Sequence, residues 1–411
     1  MLVDGAWDYP IRPLVERRKI MQTIVGIDIG KFAHFATILD SDGSPIGGTI
    51  KFENSALGFQ KLTVHLEKLV GDKEHVLVAL EATGHYWLPL YLFLLDKGYK
   101  IQVFNPYQSD ALRKVYLGRA KTDTIDAELI ARLARIGNQK ETVLPGEEIL
   151  TIRNLSRFRM ELVFQSSDVK RKIIAVMDTI FPEFEKLFSD MFGKTAIALL
   201  TSHPTPEEIL KVDEQTLISL LEKHSKGRLS EKTAKQLQTA AQSSIGVTFA
   251  IKALVFELKL LLQQLSFLKE QLTDLEKEIV QLLETVDQKL TTIPGIGNML
   301  AAAIIGEIGD LSRFPNVASV IAYAGLDPQV SESGTSEKQR KMSKKGSKYL
   351  RTAIWQSAVY SLVHNSDLRA FYDKKRSEGK PKQVAIGAVA NKLTRIIYGI
   401  LRSGKPYQSV M

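Results

Sequence analysis

The sequence predicts an α/β domain with a mixed sheet, then an α-helical coiled-coil region, then a mainly helical C-terminal domain. Short apolar runs of β-type alternate with helical spacing only in the first third of the chain, the pattern of a sheet flanked by helices. Leucines then recur at alternating steps of four and three through residues 254–282, with no Gly or Pro from Val247 to Ile293, as a coiled coil requires. Beyond residue 290, helical spacing returns between glycine turns and basic clusters.

The α/β domain is expected over residues 21–147, after an N-terminal extension at 1–20. Met21 precedes the first strand directly, so that extension could equally reflect an upstream start. Residues 22–30 read as a buried strand, and Phe35–Leu39 as a second. Asp40-Ser41-Asp42-Gly43 is a strong turn signal, so Ile46–Phe52 forms the third strand of an antiparallel meander. Ala56–Leu69 has helical spacing, Val76–Leu80 is a buried strand, Tyr86–Lys97 a helix, and Lys100–Phe104 a strand. Helices are expected at Pro106–Val115 and Thr122–Ile136.

Residues 148–289 read as helices. Leu155, Phe158, Leu162, Val169, Ile173, Val176 and Ile180 keep helical spacing until Pro182 stops the run. An antiparallel pair with the leucine-rich helix is the preferred reading, with a single long helix in an intramolecular bundle as the alternative. Between them, residues 204–244 form a helical insert, opened by Thr205-Pro206-Glu207-Glu208, a good helix start.

The C-terminal domain is expected over residues 290–411. Ile293-Pro294-Gly295-Ile296-Gly297 leads into a helix at Asn298–Ile308, the signature of a helix-hairpin-helix. Gly295 and Gly297 would let backbone approach a phosphate at the positive end of that helix. A polar loop at Ser331–Ser336 is followed by Lys338, Arg340, Lys341, Lys344, Lys345, Lys348 and Arg351, with no acid among them. This cluster is the expected phosphate-contacting surface. Lys374, Lys375, Arg376, Lys380 and Lys382 form a second basic cluster before a final helix at Val384–Leu401.

Composition narrows the function. The formal charge of +9 over 411 residues leans towards a polyanionic partner such as nucleic acid. The absence of cysteine excludes disulfides, thiolate zinc sites and a cysteine nucleophile, and fits a cytoplasmic location. The apolar stretch Tyr86–Leu95, interrupted by Pro89, is too short to span a bilayer, so no membrane is expected.

The chemistry is carried by carboxylates. Asp28 ends the first strand, Glu81 ends the fourth, and Asp123 and Asp126 fall on one face of a late helix. That is the order of an RNase H-like (RuvC-like) site. Acids at the ends of buried strands repel one another unless a cation neutralises them. Oxygen ligands of this kind select Mg²⁺ (or Mn²⁺). Individually, Asp123 and Asp126 could be simple helix N-terminal acids, Glu81 a helix cap, and Gly26–Lys31 a sugar-kinase-type phosphate loop.

Val25-Gly26-Ile27-Asp28-Ile29-Gly30-Lys31, Leu80-Glu81-Ala82-Thr83-Gly84, Lys121-Thr122-Asp123-Thr124-Ile125-Asp126-Ala127, Ile293-Pro294-Gly295-Ile296-Gly297 and Ser333-Gly334 together resemble the DEDD transposases. That insertion-sequence group includes the pilin-type DNA invertases. The resemblance covers roughly residues 22–180 and 250–400 and leaves the insert and the extension without counterpart. It implies a RuvC-like domain, a coiled coil and a C-terminal transposase domain. It implies that Asp28, Glu81, Asp123 and Asp126 are catalytic metal ligands and that Ser333 is a nucleophile forming a phosphoserine link. Its expected partners are double-stranded donor and target DNA and a structured non-coding bridge RNA, with transposition through a circular intermediate. More than one copy of the chain, a dimer or tetramer, is expected. From the residues alone, Ser333 is not separable from Ser331, Thr335 or Ser336. A metal-dependent junction nuclease using water, and a non-catalytic nucleic-acid-binding protein, remain the competing readings of the sequence.

Overall fold

The computed structural model describes residues 23–70, 72–82, 84–115, 122–137, 141–327 and 342–409. The chain divides into two compact units, residues 1–143 and 144–411.

The first unit is built on a five-stranded mixed sheet. Strands β1 (Thr23–Asp28), β2 (Ala33–Leu39) and β3 (Pro45–Glu53) form the expected meander. Helix α1 (Ala56–Val70) leads to β4 (Val76–Glu81), which returns parallel to β1, and α2 (Trp87–Asp96) leads to β5 (Lys100–Phe104), parallel to β4. The strand order is β3-β2-β1-β4-β5, so β1 and β4 lie at the centre. Their residues between the ends are fully buried, which explains their unbroken apolar sequence. Helices α3 (Pro106–Val115) and α4 (Asp123–Ile136) complete the unit.

Gly26 sets the distance between α4 and the sheet. A Cβ there would land on the carbonyl oxygen of Ala127 and on the nitrogen and Cβ of Ala131. Only glycine lets the helix backbone lie on β1, and Ala127, Ala131 and Ala134, all fully buried, keep that face thin. The first turn of α4, with its two acids, is thereby brought to the end of β1. Thr122 starts the helix by accepting from Ile125 N at 3.3 Å, an N-cap.

The second unit is helical. Helices α5 (Glu147–Ile180) and α10 (Ile251–Glu284), 34 residues each, pack along one another. The pair is antiparallel: Val247 N donates to Thr179 O at one end, and Arg159 pairs with Glu276 at 2.6 Å farther along. Leu258, Leu261, Leu265, Leu268 and Ile279 of the predicted leucine series are buried. Between the two long helices lie α6 (Lys194–Ser202), α7 (Pro206–Lys211), α8 (Glu214–Ser225) and α9 (Glu231–Gln242). Thr205 forms a full capping box with Glu208 at the start of α7, as the sequence suggested. Leu199, Ile209, Leu217, Leu221, Ala234 and Leu237 of these short helices share one core with α5 and α10, so the insert is a cap on the hairpin.

Helices α11 (Asn298–Ile308), α12 (Val317–Ala324), α13 (Lys348–His364), α14 (Ser366–Ser377) and α15 (Lys382–Ser403) follow. They form a second core that also takes Ile152 from α5 and Ile279 and Leu283 from α10. Among the described helices, α15 is the one long and apolar enough, by length and composition, to cross a membrane. Its residues Ala385, Ile386, Val389, Ala390, Leu393 and Ile397 instead fill this core.

Replacing Gly26 by Ala is expected to cost at least about 3 kcal/mol, the upper end of overpacking penalties, because the clashing atoms are mainly backbone and cannot rotate away. Chemical denaturation checks this; an unchanged midpoint would contradict the close approach of α4.

Candidate carboxylate site and nucleic-acid surface

Ile27 is paired with Leu80 in the parallel β1–β4 ladder, so the next residues, Asp28 and Glu81, leave the sheet side by side. The acids of α4 come from above the same strand end. All three neighbours act on Asp28. Burial first, then the charges of Asp126, Asp123 and Glu81, push its carboxyl from 3.8 up to about 6, and Arg113 partly offsets them. The four sequence-predicted acids therefore share one electrostatic site. It lies at the carboxyl ends of the central strands, where α/β sheets place ligands.

The loop after Asp28 is pinned from below. Gly30 N donates to His34 Nδ1 at 3.2 Å. His34 is fully buried and rests between the rings of Phe52 and Phe59. Burial lowers its pKa, which keeps the ring neutral and its Nδ1 free to accept.

Helix α3 closes one side. Ser109 Oγ donates to Glu81 Oε2 and also to Pro106 O, and Ser109 is itself buried. Arg113 Nη2 lies 2.7 Å from Asp126 Oδ1, while its Nη1 pairs with Asp110 at 3.1 Å. The Asp126 contact has the distance of an ion pair without the alignment of a hydrogen bond, so this buried oxygen is held by charge alone. Sequence reasoning missed Ser109 and Arg113. Their one signal is the spacing of four on a helix that follows a strand, a spacing that puts both on one face.

Four carboxylates have the chemistry of a donor set for a hard divalent cation, and a cation beside Asp28 would offset the burial and like charges that raise its pKa. As they stand, no three such side chains lie close enough together to hold an ion among the described residues. The donor chemistry fits Mg²⁺ or Mn²⁺, and the guanidinium of Arg113 supplies the positive charge next to Asp126.

In the second unit, Gly295 has φ +100° and its missing Cβ would sit 2.6 Å from Ser361 N. Ser361 Oγ donates to Pro294 O at 3.0 Å. This glycine is thus accounted for by the packing of the turn on α13. Gly297, the N-cap of α11, has open space where a side chain would be. The element before the turn is a single 3-10 turn, Leu290–Thr292, rather than an α-helix.

Lys338, Arg340, Lys341 and Ser333 lie outside the described residues. Lys344 and Lys345 are exposed, and Lys348 sits on α13 with its ammonium 5.0 Å from the Tyr349 ring. Arg351 turns inward and donates to Ala324 O at 3.2 Å. It braces the close crossing of Tyr323–Asp327 with Ser343–Ser347, where Ser347 N donates to Tyr323 O and Ser343 N to Asp327 O. Glu307, buried in α11, anchors the same region. It takes a two-pronged bond from Arg157 at 2.5 and 3.0 Å and a bond from Ser347 Oγ at 2.7 Å. Glu307 is buried while the Arg157 side chain is 38% exposed, so removing the arginine should cost less than the roughly 3–5 kcal/mol of a fully buried pair. The sequence does not distinguish Glu307 from an ordinary helix acid.

A mixed five-stranded sheet with acids gathered at the ends of its central strands is consistent with an α/β RNase H-like domain, here joined to a helical second unit. Family comparisons identify the lineage. A family model described as a transposase matches residues 25–182, and the transposase IS116/IS110/IS902 family matches residues 287–373. The chain belongs to this IS110/IS116 family of transposases. It is 26% identical over 380 residues to an uncharacterised 44.8 kDa protein of insertion element IS116 from Streptomyces clavuligerus, covering 92% of this chain and 94% of the relative. It is also 24% identical over 388 residues to the pilin gene-inverting protein of Moraxella bovis, covering 94% and 98% of the two chains.

Because Asp28 titrates above its ordinary value, its contribution to stability is complete below pH 3.8 and is lost as pH rises through about 6. In metal-free protein, Asp28→Asn should match the wild type near pH 4 and exceed it in stability above about pH 6. Denaturation midpoints measured across this range check it. Equal midpoints at high pH would contradict the raised pKa of Asp28 and the burial and neighbouring charges that cause it.

Proposed function

We propose that this chain is a DNA recombinase that cleaves and rejoins the strands of an insertion sequence. Asp28, Glu81, Asp123 and Asp126 hold Mg²⁺ or Mn²⁺, and Ser333 is the nucleophile. The observation that carries this reading is the grouping of the other three acids about Asp28, whose carboxyl is pushed up to about 6 by burial and then by the charges of Asp126, Asp123 and Glu81. Membership of a transposase family, and a relative named for inverting a pilin gene, support DNA as the substrate.

When bound, the divalent ion would stabilise charge developing on the phosphodiester oxygens. Asp28 and Glu81, on adjacent rigid strands, fix two ligand positions, and α4 brings the other two. Ser333 Oγ attacks phosphorus and gives up its proton. The P–O bond to one deoxyribose oxygen breaks, and that oxygen leaves as a hydroxyl once protonated. One phosphodiester is exchanged for a serine-linked one, so the bond energy is kept for the reverse attack by another DNA hydroxyl. A hydroxyl needs such an activating environment to act as a nucleophile.

The net charge of +9 and the run of seven basic residues from Lys338 to Arg351 support contact with two phosphate backbones, donor and target. On this reading Lys338, Arg340, Lys341, Lys344, Lys345 and Lys348, with Gly295 and Gly297, position nucleic acid without reading its sequence. Arg351 helps by bracing the crossing from which this segment departs. Choice of target then falls to a bridge RNA paired with both DNAs. Two cleavages per synapsis require more than one copy of the chain.

Ser333→Ala should bind DNA as wild type does, yet leave no protein–DNA adduct after denaturing electrophoresis and lower strand cleavage by at least about three orders of magnitude, the scale for loss of a covalent nucleophile. Cleavage at the wild-type rate would assign the reaction to water and sink the serine mechanism.

A further inference from the structure

We infer that Arg113 stands in for the cation of the carboxylate site in the metal-free protein, and that it leaves Asp126 when a divalent ion enters. This rests on the metal-ligand reading above. Arg113 is the basic residue whose charge offsets the three acids acting on Asp28. Its Nη2 contacts Asp126 Oδ1 at 2.7 Å, and so occupies one of the two carboxylate oxygens that Asp126 could offer an ion. A guanidinium and a divalent ion cannot share that oxygen without strong repulsion. With Arg113 in place, the acids do not form a three-ligand group among the described residues.

Three features make the arginine a removable occupant instead of a permanent brace. Its contact with Asp126 lacks hydrogen-bond alignment, and its Nε is buried with no hydrogen-bond partner among the described residues. Leaving therefore forfeits little directional bonding. A resting partner is already supplied: Asp110, one turn earlier on α3, holds Nη1 at 3.1 Å and is largely exposed. Ser109 Oγ bonds Glu81 at the end of β4, which keeps α3 docked while Arg113 swings. Ser109 is thus a positioning residue for both the acid and the arginine. The arrangement lets the protein fold with four acids gathered and no ion bound. It also delays formation of the cation site until an ion competes successfully for Asp126.

The test is Mn²⁺ binding to metal-stripped, full-length protein, followed by the electron paramagnetic resonance of free Mn²⁺ and without any DNA substrate. Arg113→Gln is expected to tighten Mn²⁺ binding on the order of tenfold, because a like charge beside the ion is removed. Arg113→Lys, which keeps the charge but loses the fork, should fold even if the glutamine variant does not. Its expected gain is smaller, about threefold, since a point charge holds Asp126 less firmly. Unchanged or weaker binding in the variants that fold overturns the inference. Asp28→Asn is measured in parallel. Its loss of Mn²⁺ binding supports the underlying metal site, whereas wild-type binding by Asp28→Asn would overturn that site itself.

Discussion

The partly buried place of Asp28 among three other carboxylates is the constraint on which the first unit depends. Burial, and after it the charges of Asp126, Asp123 and Glu81, raise the pKa of Asp28, as expected of a carboxyl in a partly buried, like-charged place. The surrounding structure exists to hold them there regardless. Gly26 lets α4 lie against β1, the parallel β1–β4 register sets Asp28 beside Glu81, and His34 ties down the loop that follows Asp28. Arg113 and Ser109 then quiet the charges from α3. Each element is ordinary by itself; together they keep the acids close to Asp28.

The second unit follows a different logic. Its two cores are joined by α5 and α10, which contribute to both. The leucine seam continues past the hairpin: Ile279 and Leu283 of α10 already belong to the core of the C-terminal helices. Beside that core, the Arg157–Glu307–Ser347 network ties α5, α11 and the start of α13 together through a buried carboxylate. It holds the N-terminus of α13, and so the departure point of the basic segment, at a defined position.

Much of this was legible in the sequence. The apolar runs placed all five strands, and α3 and α11 begin and end where Pro106–Val115 and Asn298–Ile308 predict. The acids were legible because carboxylates at the ends of buried strands have few structural reasons to be there. The partners of those acids were not. Ser109 and Arg113 sit on a helix whose last turn carries Arg113-Lys114, which reads as routine complementation of the helix dipole. Glu307 stayed hidden because its arginine lies 150 residues away, and α6 because its short apolar run carries no cap. Gly295 carries a packing role that its spacing does not reveal: where a side chain would be, it meets the backbone of α13. Local pattern predicts elements; long-range pairs decide which side chains are functional.

The central claim is that the four acids share one cation. Metal-stripped protein loaded with Fe²⁺ and treated with ascorbate and peroxide generates hydroxyl radicals at the ion and cuts nearby backbone. The account predicts cuts clustered at the end of β1 near Asp28, the end of β4 near Glu81, and the first turn of α4, all suppressed by excess Mg²⁺. Cuts that fall elsewhere, or a pattern unchanged in Asp28→Asn, would contradict it.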